Sequence, residues 1–357
     1  MSDDIASPPA RGKPQFREGF AKFSWNERKR RLYVLAWIAT ILAYLGLAFA
    51  YAWPQDYRDD TPILVMIGWA AFLVRTFIYH LGLLFLVIPI VSLWRRRWRL
   101  FVAALPVLLI AVGPTWWQFR PRPKPIVPGS TMTVMTVNLL MANRRTGPII
   151  DEIKAAQPDV LFLQEYTDHW REAIDAAVGQ AYPHKVQVTR EDSFGVAVYS
   201  RRPFKGRVEK HLDLGQCSVP QVRAVIDFDG RDVALYNLHL LPPKRLAITI
   251  ETRAQFADLL DLLSNETLPA IIAGDFNFTE RSPQAAALSK TGVLDAQDAG
   301  GWGRGATWPV DGLLRRLPGI RIDHVYLTGG LTCVDCRAGV GQGSDHRPVV
   351  AEIGFGR

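Results

Sequence analysis

Apolar residues fall into two kinds of run along this chain. They are long and unbroken in the first third, then short and interleaved with polar residues beyond it. Leu32 to Trp53 contains no charged residue and is long enough, at about 1.5 Å of rise per residue, to cross a hydrocarbon core about 30 Å thick. Leu100 to Trp117 is a second uncharged run, containing Pro106 and Pro114, which neighbouring helices accommodate in a membrane. Between them Thr76 to Trp94 holds His80 and no Asp, Glu, Lys or Arg, and is preceded by Arg75 and the shorter apolar stretch Pro62 to Val74. That stretch is too short to span by itself, so the middle segment is expected to be one long or bent helix, giving three spans over residues 32–117.

Gln118 to Ser130 carries Pro121, Pro123, Pro125 and Pro128 and is expected to be a semi-rigid extended spacer. Beyond it short β-type runs alternate with amphipathic helical stretches, the pattern of a layered α/β (α+β) domain over residues 131–357. Strands are expected at Thr131 to Asn138, Val160 to Gln164, Phe194 to Tyr199, Val222 to Phe228 and Val233 to His239, then at Ala270 to Ala273, Asp323 to Leu327 and Pro348 to Ile353. Helices are expected at Gly147 to Ala156, around Trp170 to Val178, and at Leu246 to Leu263.

Charge changes the picture in one respect. The chain of 357 residues carries 42 Lys+Arg and 34 Asp+Glu, net +8, which invites a nucleic-acid reading. Residues 1–128 hold 17 of the positive and 7 of the negative groups, leaving 25 and 27 for the rest. The basic excess therefore belongs to the apolar third, and the C-terminal domain is about neutral to acidic. The basic segment 1–31 ends in Arg28-Lys29-Arg30-Arg31 against the first span, and Arg95-Arg96-Arg97-Trp98-Arg99 joins the second to the third. Both are expected on the cytoplasmic side of an inner (plasma) membrane, which puts the C-terminal domain outside the cytoplasm.

Several apolar runs of that domain end abruptly in polar residues: Glu165 after Val160 to Gln164, Asp275 and Asn277 after Ile271 to Gly274, and Asn237 and His239 around Leu238. Asp323 opens another run, and Asp345 with His346 precedes the last. One such ending is an ordinary turn or cap. Repeated at strand after strand, they are expected to converge on one solvent-facing rim, supplying hard oxygen ligands for Mg²⁺ and imidazoles able to move protons near neutral pH.

The same residues carry a resemblance. The chain from Thr131 to Phe355 resembles the endonuclease/exonuclease/phosphatase superfamily, with MTVN at 135–138, LFLQE at 161–165, VAVYSRRPF at 196–204, NLHLLP at 237–242, AGDFN at 273–277, RIDHV at 321–325 and SDHRPV at 344–349 in the family's order. The resemblance implies a four-layered α/β sandwich, two face-to-face sheets with helices outside, and a metal-dependent phosphoesterase. It implies Asn138, Glu165 and Asp345 at the metal, Mg²⁺ with Mn²⁺ as the alternative. It further implies Asp275 and Asn277 at the phosphate and attacking water, His346 as base or phosphate-polarising group oriented by Asp323, and His239 as the second histidine.

The expected activity is therefore membrane-anchored, metal-assisted hydrolysis of a phosphodiester, in nucleic acid or in a phospholipid head group. The partners expected are that substrate and the lipid bilayer, with no protein partner. A catalytically inactive membrane-tethered binding module and a transporter with an accessory domain are the competing classes. Cys333 and Cys336 form a lone CxxC pair beside Cys217, too few ligands for a structural zinc site and compatible with either a disulfide or free thiols.

Overall fold

The computed structural model describes residues 16–356, so the start of the basic N-terminal segment and Arg357 lie outside the described residues. Helix α1 (Phe16–Ala52) contains the apolar stretch Asn26–Ala52, and the fifth helix, α5 (Trp98–Trp117), is the other helix long and apolar enough to cross a membrane. The middle segment is divided into α2 (Pro62–Thr76), α3 (Ile78–Phe85) and α4 (Val87–Trp94), with a bend of 61° at Phe77 between α2 and the rest. It makes a third crossing only if the bent pair is one span. The two pieces have different neighbours: α3 and α4 pack on α5, whereas α2 packs on the C-terminal domain. Val65, Gly68, Phe72 and Thr76 are buried on α2 at spacings of three and four, the single face a docked helix presents.

Two six-stranded sheets, facing each other, make up the core of that domain among the described residues. The first contains β1 (Met132–Asn138), β2 (Val160–Gln164), β3 (His184–Val188), β4 (Val196–Ser200), β11 (Leu331–Ala338) and β12 (Val349–Phe355), in the order β11-β12-β1-β2-β4-β3. The second contains β5 (Glu209–Asp213), β6 (Pro220–Phe228), β7 (Arg231–His239), β8 (Ala270–Asp275), β9 (Leu294–Asp295) and β10 (Asp323–Leu327), in the order β5-β6-β7-β8-β10-β9. Strand alternation divides their side chains cleanly. Val134, Phe162, Leu235, Ile271 and Val325 meet between the sheets. Met135, Val137, Leu161 and Leu163 point outward against Ile149, Ile150 and Ile153 of α6 (Gly147–Ala156) and Trp170 and Ile174 of α7 (Asp168–Val178). Tyr236, Leu238 and Ile272 do the same against Phe256 and Leu259 of α8 (Leu246–Asn265) and Leu288 of α9 (Pro283–Ser289).

The result is the expected four-layered α/β sandwich. Four strands absent from the sequence expectation, β3, β5, β9 and β11, are the four sheet edges. Residues 118–130 hold no helix or strand, as their prolines require, but they do not stand free. Phe119 packs edge-on against Trp302 with ring centroids 5.0 Å apart, and Arg122 donates to the carbonyls of Gln297 and Gly301. All three cysteines are free thiols, and a bulge between Cys333 and Asp335 turns both Cys333 and Cys336 into the core.

Candidate active site

The face of each strand that builds the inter-sheet core turns polar toward one end. Met132 and Val134 on β1 are followed at the same phase by Thr136 and Asn138; Val160 and Phe162 on β2 by Gln164; Val233 and Leu235 on β7 by Asn237 and His239; Ile271 and Ala273 on β8 by Asp275. On antiparallel β10, Asp323 precedes Val325 and Leu327. Register then aligns these endings, with His239 beside Asp275 on the parallel β7–β8 pair and Asp323 beside Asp275 on the antiparallel β8–β10 pair.

Where the two sheets diverge, the polar ends meet across the gap. Asn138 donates from Nδ2 to Glu165 Oε1 and to Asp275 Oδ2, each at 3.1 Å. His346 arrives on the loop before β12 and places Nδ1 2.8 Å from Asp323 Oδ2 and Nε2 3.8 Å from Asp275 Oδ2. His239 Nε2 stands 3.7 Å from the same Asp275 oxygen. Ser344 fixes the loop, donating from Oγ to the Asn138 carbonyl at 2.8 Å while accepting from the His346 N–H at 3.0 Å.

Backbone geometry aims two of these groups. Glu165 leaves β2 at φ +55°, and the Met141 N–H donates to its Oε2 at 2.8 Å. Asn277 lies at φ +52°, its N–H donating to Asp275 Oδ1 at 3.0 Å and its Nδ2 to the Leu240 carbonyl at 2.8 Å. Left-handed backbone at non-glycine residues is costly and needs support of this kind.

Burial and charge set the protonation states. Burial pushes the Asp275 carboxyl up to about 7, with the Asp323 charge adding to the rise and His346 opposing it. Burial alone would lower His346, but the Asp323 and Asp275 carboxylates outweigh it and push the imidazole up to about 10. Burial, helped by the positive His346, pushes His239 down to about 4. Near neutral pH the cluster therefore holds one imidazolium, His346, and one neutral imidazole, His239.

All eight residues singled out from the sequence are gathered here. They form a floor rather than the expected solvent-facing rim: Asp323 is fully buried, Asp275 is 2% exposed and His346 is 5% exposed. The sandwich closes over the strand ends, and a cleft of about 330 Å³ opens above them. Trp308, which the sequence reading passed over, lines that cleft and donates from Nε1 to Asp345 Oδ2 at 3.1 Å. Phe72, Leu73, Thr76 and Phe77, at the end of α2, line it too. His324 points to the opposite face of β10, bonding the Phe278 carbonyl at 2.9 Å and packing among Phe276, Phe278 and Tyr326.

The oxygen donors suit a hard divalent cation. Asp345 Oδ1 and Asp323 Oδ1 are buried and have no hydrogen-bond partner among the described residues. Asp275, Asp323 and His346 each bring a ligand atom to within 4.8 Å of the others. Within that trio Asp323 Oδ2 and His346 Nδ1 already satisfy each other at 2.8 Å.

Comparison with known proteins identifies the architecture. The sequence model of the Endonuclease/Exonuclease/phosphatase family matches residues 135–346, more than half of the chain and nearly the whole interval from β1 to His346. The chain belongs to that family. Its members are hydrolases acting on phosphoester bonds, and the buried acid and histidine cluster lies inside the matched interval. A UPF0294 protein of Vibrio cholerae serotype O1 is 28% identical over 125 residues, 35% of this chain and 41% of the relative. The chain thus spans about two fifths of the length of the curated relatives it matches.

Among solved structures, humanized D. rerio TDP2 is 18% identical with a TM-score of 0.52, over 64% of this chain and 100% of that one. A family protein from Bacteroides vulgatus has the same identity, TM-score and coverage. The 3′ phosphatase NExo from Neisseria, bound to product DNA hairpin, is 20% identical with a TM-score of 0.51, over 63% and 100%. These likenesses are of fold.

Proposed function

We propose that this chain is a membrane-anchored phosphodiesterase that depends on a divalent cation, Mg²⁺ or Mn²⁺, and works outside the cytoplasm. The observation that carries the reading is the row His239, Asp275 and Asp323 with His346 docked on Asp323 at 2.8 Å, at the base of a cleft in a family of phosphoester hydrolases. Glu165, Asn138 and Asp345 are the residues that would hold the cation, with Asp345 Oδ1 lacking a hydrogen-bond partner among the described residues and Asp323 Oδ2 taken by His346. When bound it would neutralise phosphoryl charge and polarise a phosphoryl oxygen.

The protein groups divide the remaining work. Asp275, its carboxyl raised toward neutrality, accepts a proton from the attacking water. The His346 imidazolium, oriented through Nδ1 by Asp323, faces the charge that develops on the phosphoryl group. Neutral His239 donates a hydrogen bond to the phosphoryl oxygen, and the His346 imidazolium is the group with a proton to give the departing oxygen. Asn277, whose amide is engaged with backbone, positions Asp275. The net reaction adds hydroxyl to phosphorus and a proton to the departing oxygen as one P–O bond breaks. The apolar helices support anchoring, and with both basic clusters inside, a crossing by the middle segment between α1 and α5 supports the domain outside.

The test uses the full chain in detergent with bis(4-nitrophenyl) phosphate, with Mg²⁺ or with chelator. Cleavage that needs the metal and disappears in His346→Ala is expected. Equal turnover in chelator would remove the metal, and wild-type turnover in His346→Ala would remove the assigned centre.

A further inference from the structure

The apolar character of helix α2 assigns it to the lipid phase, yet its last turn and the residue after it line the catalytic cleft. It is clamped there. Trp69 Nε1 donates to the Pro243 carbonyl at 2.8 Å, Arg75 Nε donates to the Arg281 carbonyl at 2.6 Å, and Thr76 Oγ1 meets Ser282 Oγ at 3.3 Å. Gly68 permits the approach, since a Cβ there would stand 3.0 Å from Arg253 of α8. Phe72 is buried in the same cluster as Phe256, Phe276 and Phe278.

The rest of the helix is exposed and apolar, with Ile63 58% and Met66 49% accessible. Its other neighbour is α1, the longest apolar helix. One helix therefore forms a wall of the cleft and a surface continuous with the segments that fit a bilayer.

The cleft itself has two chemistries. Its polar lining is Glu165, Asp275, Asp345 and the two histidines; its apolar lining is Phe72, Leu73 and Phe77 of the α2 end with Phe194, Pro242 and Ile320. Lys244 is the one Lys or Arg among the lining residues. A polyanion needs a basic track to replace its counterions, and a single strand needs such a track with its stacking platforms. A lining part polar and part apolar suits an amphiphile.

We infer that α2 is an apolar substrate subsite, so that the cleft takes a bilayer-resident phosphodiester with its phosphate on the floor and its chain along Leu73 and Phe77. The inference rests on the phosphodiesterase reading and names its substrate class.

The experiment compares the full chain reconstituted in phosphatidylcholine–phosphatidylglycerol vesicles, whose lipids are the long-chain probe, with bis(4-nitrophenyl) phosphate as the chain-free probe and single-stranded DNA as the third arm. Both half-exposed positions are changed, as Leu73→Ser and Phe77→Ser, and His346→Ala is the reference. Hydrolysis of the vesicle lipid is expected. Its ratio to chain-free turnover should fall about tenfold or more in each α2 variant, the scale on which an apolar pocket discriminates by small groups. An unchanged ratio would overturn the inference, as would equal loss on both probes or preferential cleavage of DNA. Failure of His346-dependent turnover on every probe would instead remove the phosphodiesterase reading beneath it, which separates the two failures.

Discussion

Asp275 sits at the centre of the residue-scale chemistry, receiving Asn138 from the opposite sheet and lying between both histidines. If Asp323 acts by orienting His346, Asp323→Asn should lower kcat by about 10²- to 10⁴-fold with little change in KM. Steady-state kinetics on bis(4-nitrophenyl) phosphate reads this directly, and an effect confined to KM would contradict it.

The pH dependence has a definite sign. Activity should rise with pH as Asp275 ionises, with the midpoint pulled below the cation-free value of about 7 by the positive charge of a bound cation. The contribution of Asp275 to the stability of chelator-treated protein should move the other way. A carboxyl raised above its unfolded value of about 4 stabilises the fold below that value, and the contribution is lost as pH climbs through 7. Raised His346 adds loss of the same sign toward pH 10, and lowered His239 costs stability as pH falls through 6.5 toward 4. Because Asp275 and His239 oppose each other between about pH 4 and 6.5, thermal melts should show Asp275→Asn gaining stability with rising pH more steeply than wild type over that range, while remaining inactive. An identical slope would exclude Asp275 as the source.

These residues were legible because strand phase tells which face a side chain takes. Their depth was not. Phase carries no information about how far the opposite sheet extends, and only the folded sandwich shows that Asp323 is fully buried.

At the scale of elements, the strands that sequence revealed are the inner ones. The edge strands β3 (HKVQV) and β5 (EKHLD) have a single partner each and carry mixed polar residues, so alternation in them is faint. A bent middle helix was expected, but the docking of α2 on the sandwich was hidden for a different reason, since apolar character alone cannot distinguish a helix in lipid from one docked on a protein surface.

Between the sheets, Gln164 Nε2 donates to Asn237 Oδ1 at 2.6 Å, and Asn237 Nδ2 donates to the carbonyls of Leu163 and Ala197 at 2.9 and 2.8 Å. This link tethers β2 and β4 to β7 just below the floor. Asn237→Leu strands its partners and should destabilise by about 1–3 kcal/mol in chemical denaturation.

Gly274 is more exacting still. It lies at φ +146°, and a Cβ there would fall 1.8 Å from the Leu238 carbonyl oxygen. Gly274→Ala should cost more than about 4 kcal/mol, visible as loss of soluble expression. A normally melting variant would show that β7 and β8 can part without harm.

On the scale of the whole molecule, the helical third and the sandwich share a core. Tyr57, Trp69, Phe72 and Leu73 pack with Phe256 and Phe278. Expression of residues 130–357 alone should therefore yield a domain of lower melting temperature than the full chain, with apolar surface exposed on α8. Equal melting temperatures would mean that the shared cluster contributes nothing. A reporter fused after Arg357 should be accessible from outside the cytoplasm; cytoplasmic exposure would reverse the orientation.

The proline segment, bonded to the sandwich through Phe119 and Arg122, leaves it little freedom to swing. Held at one height, such a catalyst would encounter molecules by lateral diffusion. Its speed would then follow their mole fraction in the surrounding sheet of lipid and would fall on dilution with inert lipid at constant total volume.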